Sequence, residues 1–510
     1  MFLGIELGST RIKAVGIDGS FRQVLSGDHT WKSSYENGVW TYSLEDAWQG
    51  LRKALEPFRG KTVEGAGVSG MMHGYLAFDR EWRLLTPFRT WQNTMTAEAA
   101  ELLSRRFGFN IPQRWSIAHL YQAMLRGEDH VPNIAHITTL AGYIHYMLTG
   151  VNAVGIGEAS GIFPVDSETL DYDGAMLACF EELAKDQPWK LREILPKVLT
   201  AGEPAGQLTP EGAALLDGIL PVGTPFAPCE GDAGTGMTAT CSVAPRTGNV
   251  SAGTSIFAMV VLEHKMERVY PEIDLVTTPT GRGVAMVHCN NCTNDTNAWA
   301  EVLGQTLELF GSRPPAGELF TGLYRKSLEG DPDCGGVTVC NYLSGEGVTH
   351  FDTGRPLVLR DAESRFTLAN FFRAQLYSTM ATLHLGMKIL EGERVRIDRL
   401  TGHGGLFKTP LVGQKYLAAA CNAPVTCRET AGEGGPYGMA LLAAFGACRE
   451  PGESLEDFLE HKVFAVAAET TVEPDPETVR GFAKYMERFR DLLQVERTAV
   501  DGAKEETDAV

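Results

Sequence analysis

An internal repeat constrains the fold of this chain more than any other feature of its sequence. An apolar strand, a turn of glycine followed by two serine or threonine residues, and a returning apolar strand occur at residues 3 to 17 and again at 249 to 262. The two copies lie about 245 residues apart, so each stands at the head of one half of the chain. The repeat predicts a duplicated domain with a boundary near Pro245.

Strands and helices alternate through both halves, which is typical of α/β architecture. The spacing of apolar residues predicts a helix over 44 to 57 with Ser43 as its N-cap. An apolar run predicts a strand from Val395 to Leu400. Pro436 is expected to open an Ala/Leu-rich helix at its first position. The polar stretch from Asp501 to Val510 is expected to be a frayed tail.

Length and charge limit the classes of function. A chain of 510 residues is too long for a single hydrophobic core. Its 45 Lys and Arg residues against 64 Asp and Glu residues give a net charge of -19, which repels nucleic acids and anionic membranes. Glu6 and Arg11 interrupt any apolar signal region at the N-terminus. Together with ten cysteines, these features predict a cytoplasmic protein with reduced thiols and with neither nucleic-acid nor membrane partners.

Three glycine-rich turns follow apolar strands: Gly8-Ser9-Thr10, Gly253-Thr254-Ser255 and Gly402 to Gly405. One such turn is more often only a turn, but three in register with a duplication favour a phosphate-binding site. None has the Walker A spacing, because Phe407 stands where the glycine before Lys408 and Thr409 would have to be. No Gly-x-Gly-x-x-Gly opens a helix after the first strand, so the motifs favour neither a P-loop nor a Rossmann fold.

Asp232 is the candidate catalytic residue. It stands among glycines in the stretch Pro228 to Gly236, and an isolated Asp-Ala-Gly is by default an Asx turn. Its place just before the domain boundary and just ahead of the second glycine turn favours a catalytic role. There a carboxylate can accept a hydroxyl proton while a phosphoryl group is held in line.

Two other groups have alternative interpretations. His73 lies in the loop Gly70 to Gly74 after a strand, where ligands bind in α/β proteins, but by residue type alone it is a loop histidine bonded to its own backbone. Cys289-x-x-Cys292 has the form of half a zinc site. The remaining pair, Cys334 and Cys340, has the wrong spacing and no supporting histidines, which disfavours zinc.

These motifs resemble, in their order, those of the FGGY carbohydrate kinases. The resemblance rests on the following segments: Gly4 to Thr10 with Lys13-Ala14, Gly70 to Gly74, Thr90 to Thr94, Tyr143 to Gly150, Ala159 to Gly161, Gly231-Asp232, Gly253 to Ser255, Thr401 to Gly405, and Glu433 to Ala440. The loop at 70 to 74 and the Trp91 segment are most similar to the xylulokinase-like, or pentulose kinase, group. The match extends from residue 1 to about 490.

The resemblance implies two duplicated α/β domains of the actin/Hsp70/hexokinase type, which are ribonuclease H-like, with a cleft between them. We expect an N-terminal domain over 1–245 that binds the sugar and a phosphate and carries the catalytic aspartate. We expect a C-terminal domain over 246–490 that binds ATP, and a tail over 491–510.

The resemblance also implies an enzyme that phosphorylates a small sugar with ATP and Mg²⁺. The expected acceptor is a ketopentose such as xylulose, or a related ketose or polyol. The implied site residues are Asp232 as the catalytic base; Met72, His73, Trp91 and Asp232 at the substrate; Gly8, Ser9, Thr10, Lys13, Gly253, Thr254, Ser255, Gly404, Gly405 and Lys408 at the nucleotide; and Glu6 with Asp232 at the metal.

Gln92-Asn93 replaces the Asn-Asp pair of the family, and three further positions depart from the family pattern. Glu6 stands where the family has Asp, Met71 where it has Gln, and Ala233 where pentulose kinases carry an amide. They motivate one alternative function, an ATP-binding sugar sensor or regulator of the same fold without kinase activity. A chaperone ATPase is disfavoured, because no apolar peptide-binding module follows the two halves. A homodimer is compatible with the sequence, which does not define the oligomeric state.

Overall fold

The computed structural model describes residues 1–428 and 434–508, with side chains through residue 502. Residues Glu429 to Glu433, which include the start of the Glu433 to Ala440 motif, lie outside the described residues. The described chain divides into two compact units. The first contains Met1–Pro245, Arg268–Val284 and residues 434–467, and the second contains Arg246–Glu267 and residues 285–428 and 468–508.

The N-terminal half contains thirteen strands and nine α-helices. The strands are β1 Phe2–Leu7, β2 Arg11–Ile17, β3 Gln23–Thr30, β4 Ser34–Glu36, β5 Val39–Thr41, β6 Gly65–Gly70, β7 Leu76–Phe78, β8 His136–Thr138, β9 Ala153–Gly155, β10 Val165–Asp166, β11 Asp171–Tyr172, β12 Lys197–Leu199 and β13 Glu230–Gly231. The helices are α1 Leu44–Leu55, α2 Ala97–Phe107, α3 Ser116–Leu125, α4 Leu140–Thr149, α5 Ile156–Ala159, α6 Gly174–Leu183, α7 Leu191–Ile194, α8 Pro210–Leu215 and α9 Asp232–Ala239.

The rest of the described chain adds nine strands and seven α-helices. The strands are β14 Thr247–Ala252, β15 Ile256–Val261, β16 Asp274–Thr277, β17 Gly283–Cys289, β18 Thr338–Cys340, β19 Leu357–Leu359, β20 Arg399–His403, β21 Val425–Arg428 and β22 Glu469–Val472. The helices are α10 Asn294–Leu309, α11 Ala316–Ser327, α12 Leu368–Gly392, α13 Val412–Cys421, α14 Gly434–Cys448, α15 Leu455–Phe458 and α16 Pro476–Asp508. No helix of the described residues is long and apolar enough to cross a bilayer.

The repeat seen in the sequence is also a repeat of topology. In the first unit the strand order is β13-β6-β1-β2-β3, with β2 antiparallel to β1 and β6 parallel to it. The main sheet strands of the second unit follow the order β17-β15-β14-β20-β21-β22, with β15 antiparallel to β14 and β20 parallel to it. Each unit thus begins with an antiparallel hairpin that a parallel strand joins, which supports a duplication.

Helix α14 belongs to the first unit although it comes late in the sequence. It lies over the first sheet, where glycines replace side chains: a Cβ on Gly4 would lie 1.9 Å from the Pro436 carbonyl oxygen, and one on Gly67 would lie 2.3 Å from Met439 Cε. Its residues from 435 to 445 are buried. The first unit is therefore completed by a helix from the C-terminal half of the chain.

Local signals in the sequence predict some element boundaries and miss others. Ser43 caps α1 as expected, since its side chain accepts from the Asp46 N–H. The strand expected at Val395 to Leu400 instead spans Arg399–His403, because its parallel pairing with β14 begins at Arg399. Helix α14 begins by Gly434, ahead of Pro436.

The C-terminal residues also differ from the expectation. Helix α16 runs through residue 490 and through most of the stretch expected to be a frayed tail. Its apolar residues Phe482, Tyr485 and Phe489 are buried, and the Tyr485 hydroxyl donates to the Val339 carbonyl oxygen over 2.9 Å. This packing holds the first part of the helix, and the backbone continues as a helix to Asp508.

Candidate active site

Asp232 is the first residue of α9 and directly follows the two-residue strand β13. Gly231 is the N-cap, so the chain passes straight from strand to helix and no separate turn or loop precedes Asp232. At this position the first N–H groups of a helix have no intrahelical partner, and they favour a negative charge. The Met72 N–H donates to Asp232 Oδ1 over 3.2 Å. Two predicted site residues, Met72 and Asp232, are thus in direct contact.

The environment of Asp232 suits a general base. Surrounding protein atoms reduce the hydration of its carboxylate and the nearby negative charge of Glu6 opposes ionisation, which together raise the pKa of Asp232 to about 6. Part of the side chain is nevertheless open to solvent. A carboxyl with this pKa is ionised at neutral pH and lies close enough to neutrality to take up a proton in a reaction.

Glu6 is a buried carboxylate beside Asp232. It lies opposite Lys13 in the β1–β2 ladder, and Lys13 Nζ donates to Glu6 Oε2 over 3.0 Å. A Cβ on Gly435 would lie 2.3 Å from Glu6 Oε1, so the first turn of α14 closes against this carboxylate. The sequence gives no local signal for that contact.

The two acids Glu6 and Asp232 limit which metal ion the site could bind. Among the described residues, no three or more side chains of His, Cys, Asp or Glu are grouped so that they could hold a metal. Glu6 and Asp232 offer two carboxylates, and Mg²⁺ is commonly held by one or two carboxylates with its remaining positions filled by water and substrate phosphates. The pair therefore fits hydrated Mg²⁺ and does not fit an ion that needs a full set of protein ligands.

His73 is buried, with a left-handed backbone at φ 71°. Its ring Nδ1 lies 3.2 Å from the Gly161 carbonyl oxygen, and because a carbonyl only accepts, Nδ1 carries the hydrogen. Burial and the neighbouring charge of Arg114 hold the pKa of His73 well below its usual value, so the ring is neutral. In this tautomer Nε2 is a hydrogen-bond acceptor.

Trp91 is exposed, and the turn that carries it is held by hydrogen bonds. It is 42% exposed, and Asn93 holds the turn because its side-chain amide donates to the Trp40 carbonyl oxygen and accepts from the Trp40 N–H, each over 2.8 Å. An exposed indole on a rigid base offers a flat apolar surface to a ligand. Among the described hydrogen bonds and ring contacts, none joins Trp91 to Met72, His73 or Asp232.

The first glycine turn is well placed to bind an anion. The Gly8 N–H donates to the Arg11 carbonyl oxygen over 3.0 Å, which closes the turn. The Gly8 carbonyl oxygen accepts from Trp31 Nε1, and the Ser9 carbonyl oxygen from the Tyr42 hydroxyl, each over 2.7 Å. Since these carbonyls are engaged by the protein, the exposed Ser9 and Thr10 are left to offer donors to a ligand.

The second glycine turn, in the second unit, lies at the start of helix α10. The Gly253 carbonyl oxygen accepts from the hydroxyl of Thr293, which directly precedes α10, over 2.7 Å. The Gly253 N–H donates to the Ser255 carbonyl oxygen over 2.9 Å. A turn beside a helix N-terminus is a suitable environment for phosphate. Thr293 is not predictable as a site residue from the sequence, because its role depends on this packing.

The third glycine segment lies beside the second within the same unit. Gly404 has φ 100°, and a Cβ on it would lie 2.4 Å from the Ala252 carbonyl oxygen, next to Gly253. Gly405 and Lys408 are exposed on the segment that follows. The structure thus brings together two groups of predicted nucleotide-binding residues, at 253–255 and 404–405.

Two further buried acids, Glu158 and Glu230, were missed by the sequence analysis. Glu230 accepts from the Glu158 N–H over 2.9 Å, and its burial raises its pKa to about 8. Among the described residues, no group makes a hydrogen bond of ordinary geometry to the Glu158 carboxyl oxygens. Burial raises the pKa of Glu158 well above its usual value, and the neighbouring Thr139 hydroxyl lowers that pKa by a smaller amount. Glu230 is marked in the sequence only by being an acid in the otherwise uncharged run before Asp232.

Comparison with known proteins identifies the chain's relatives. The N-terminal domain model of the FGGY family of carbohydrate kinases matches residues 1–239, and the C-terminal domain model matches residues 248–447. The chain is 22% identical to the xylulose kinase of Haemophilus influenzae, over 96% of this chain and 98% of the relative. It is 24% identical to the xylulose kinase of Escherichia coli, over 97% and 99% respectively.

A solved structure shares the fold. The ligand-bound xylulose kinase of Lactobacillus acidophilus matches with a TM-score of 0.80 at 15% identity, over 97% of each chain. The two domain matches and this similarity confirm the predicted two-domain, actin-like α/β fold.

Proposed function

Because the chain belongs to the FGGY family of carbohydrate kinases, we propose that it transfers the terminal phosphoryl group of ATP to a hydroxyl of a ketopentose such as xylulose. Family membership shows that the chain is a sugar kinase. The use of ATP and the identity of the sugar are what we propose. The two relatives described above are xylulose kinases, which supports a five-carbon ketose. The observation that carries the proposal is the Asp232 carboxylate, held by the Met72 N–H next to His73.

In the proposed reaction Asp232 is the base. Its carboxylate takes the proton of the sugar hydroxyl as the sugar oxygen forms a bond to the terminal phosphorus of ATP. The bond between that phosphorus and the bridging oxygen breaks, and ADP leaves with the electron pair. The pKa of about 6 keeps Asp232 ionised before the reaction.

The substrate is held by three residues. His73 Nε2 accepts a hydrogen bond from a second sugar hydroxyl, since Nδ1 is committed to the Gly161 carbonyl oxygen. Met72 contributes an apolar surface beside the base, and the open ring of Trp91 packs against the C–H face of the sugar.

The family pattern assigns nucleotide-binding roles to residues of the first unit and to residues of the second. Gly8, Ser9 and Thr10 bind phosphate oxygens through N–H and hydroxyl groups, with Lys13 supplying positive charge. In the second unit, the turn from Gly253 to Ser255 binds phosphate, and the nucleoside lies against Gly404, Gly405 and Lys408. These roles rest on the positions and exposure of the residues and on the family pattern.

Glu6 and Asp232 are the residues that would hold Mg²⁺ through its water ligands. When bound, this ion neutralises charge on the phosphate oxygens. Glu6 also orients Lys13 through their ion pair, which keeps the ammonium group beside the first phosphate turn.

A substrate panel tests the proposal. With ATP and Mg²⁺ present, ADP release is measured over ketopentoses, ketohexoses, aldoses, sugar acids and polyols. A ketopentose is expected to give turnover on the order of 10 s⁻¹. If another class is preferred, the proposed sugar is wrong, and if no compound in the panel stimulates ADP release, the proposed kinase function is wrong.

The pH profile gives a second prediction. Because the raised pKa of Asp232 is about 6, the reactive carboxylate is fully present above that pH and is lost as the pH falls through about 6. We expect kcat/KM for the sugar to decrease about tenfold for each unit below pH 6. Initial rates from about pH 5 to pH 8, with ADP detected directly, measure this profile. A value of kcat/KM that stays constant from about pH 8 down to about pH 5 would contradict the assignment.

The family match and the retained Asp232 favour a working kinase over a sensor without activity. A small-molecule sugar is the expected partner. The absence of nucleic-acid partners, the cytoplasmic location and a homodimer stay predictions of the sequence.

A further inference from the structure

We infer that Glu230 is a positioning residue that holds the segment 156–161 so that the ring of His73 presents Nε2 to the sugar. This inference rests on the proposed function, because the sugar is the ligand whose binding would depend on the orientation of His73. Glu230 itself touches neither the base nor the imidazole in the contacts described below. It acts through the backbone of the segment that it holds.

Glu230 anchors this segment through a buried carboxyl group. It is 1% exposed, and its two oxygens accept from the Glu158 N–H over 2.9 Å and from the Gly157 N–H over 3.4 Å. Burying a polar carboxyl group is costly unless it is hydrogen-bonded, so these N–H groups account for its placement. The residue just before the segment is held as well, because the Gly155 N–H donates to the Cys229 carbonyl oxygen over 2.7 Å.

Two glycines, Gly155 and Gly157, leave space for the Glu230 side chain. A Cβ on Gly155 would lie 2.1 Å from Glu230 Oε1, and a Cβ on Gly157 would lie 2.4 Å from Glu230 Oε2. Real Cβ atoms essentially never approach other atoms so closely. The two glycines and the glutamate therefore form one complementary set, and any larger residue at either glycine would displace the carboxylate.

A continuous series of hydrogen bonds runs from Glu230 to His73. Glu230 accepts from the Glu158 N–H, and the Glu158 carbonyl oxygen accepts from the Gly161 N–H over 3.0 Å. The Gly161 carbonyl oxygen in turn lies 3.2 Å from His73 Nδ1. Since each step uses the backbone of the segment, a shift of the segment moves the acceptor that selects the tautomer of His73.

The backbone at Gly161 packs closely against His73 and leaves little room for such a shift. A Cβ on Gly161 would lie 2.7 Å from His73 Nδ1 and 2.8 Å from Met72 Cε. His73 also has a left-handed backbone conformation, which costs free energy and is kept only where the surroundings enforce it. Loss of the Glu230 carboxyl group is therefore expected to displace the Gly161 carbonyl oxygen and to change the geometry at His73.

The kinetic test uses Glu230→Gln, which keeps the size of the side chain and one accepting oxygen but places an N–H₂ group against one of the two backbone donors. We expect KM for the sugar to rise about tenfold, with KM for ATP within about twofold of wild type. In a His73→Asn background, the same substitution is expected to change the sugar KM by less than about twofold. An equal tenfold rise in both backgrounds would overturn the inference, because Glu230 would then act independently of His73.

A matched control separates positioning from general stability. Glu346 is a carboxylate of the second unit that is also 1% exposed and accepts from two backbone N–H groups, those of Asn290 over 3.0 Å and Asn291 over 3.2 Å. Glu346→Gln is expected to lower the melting temperature as Glu230→Gln does, but to leave the sugar KM unchanged. If Glu230→Gln does not fold, Glu230→Asp shortens the side chain and tests the same bonds.

A spectroscopic readout does not depend on activity. In protein labelled with ¹⁵N-histidine, the His73 signals are identified by their loss in His73→Asn. The wild type is expected to show the Nδ1-protonated tautomer, and Glu230→Gln a shift towards the Nε2-protonated one. Unchanged His73 signals would overturn the inference even if wild-type turnover is high, whereas a shift without any sugar turnover would support the positioning role while the proposed function fails.

Discussion

Replacing Asp232 with asparagine is expected to lower kcat about a thousandfold, because the loss of a general base typically costs 10² to 10⁴ in rate. Asparagine has nearly the same shape, and its side-chain oxygen can still accept from the Met72 N–H, which donates to Asp232 over 3.2 Å. The amide cannot take up the hydroxyl proton. The fold and nucleotide binding should therefore survive while phosphoryl transfer is lost.

Three measurements check this result. Single-turnover ADP formation gives the rate of transfer, calorimetric titration gives ATP affinity, and thermal melting reports the fold. Asp186→Asn is a suitable control, since Asp186 is an exposed aspartate of the same unit outside the site. Turnover near the wild-type level in Asp232→Asn would refute the assigned base, and loss of ATP binding would show that the carboxylate also supports the nucleotide.

Gly4→Ala is expected to destabilise the first unit by about 3 kcal/mol, at the upper end of the usual cost of overpacking a core. The added Cβ would lie 1.9 Å from the Pro436 carbonyl oxygen and 2.5 Å from the Ala440 nitrogen, both in the backbone of α14. Backbone atoms cannot move aside as a flexible side chain can. The helix must therefore shift away from β1 and lose its packing on the sheet.

Thermal and denaturant unfolding measure this effect. Gly19→Ala is the matched control, because no atom of the described residues lies within 4 Å of a Cβ on Gly19 and its backbone needs no positive φ. The control should melt within a degree or two of wild type, since a surface substitution of this kind changes stability by no more than about 0.5 kcal/mol. Identical melting of Gly4→Ala and wild type would show that α14 does not pack as described.

The sequence predicts the parts of this protein that depend on local or repeated patterns. Two copies of strand, glycine turn and strand were sufficient to predict a duplication, which the matching strand orders of the two sheets support. Ser43 was predicted as a cap because serine supplies the needed acceptor to a nearby N–H. The family pattern located Met72 and Asp232, which the structure brings into contact.

Features made by long-range packing were not predictable from one sequence. Glu230 is marked in the sequence only as an acid in an uncharged run, and its partners at Gly157 and Glu158 lie more than 70 residues earlier. Gly435 approaches Glu6 from the other end of the chain. Neither contact leaves a periodic or compositional signal, because both depend on which surfaces meet after the elements form.

The late position of α14 has a consequence for biosynthesis. The helix covers β1 and β6, yet it is translated roughly 400 residues after β1, which at 5 to 20 residues per second is an interval of about 20 to 80 s. During that interval the face of the sheet lined by Gly4 and Gly67 has no helix against it. A nascent chain therefore exposes a glycine-lined apolar surface until α14 has emerged, so its yield depends on how well the cell protects unfinished chains.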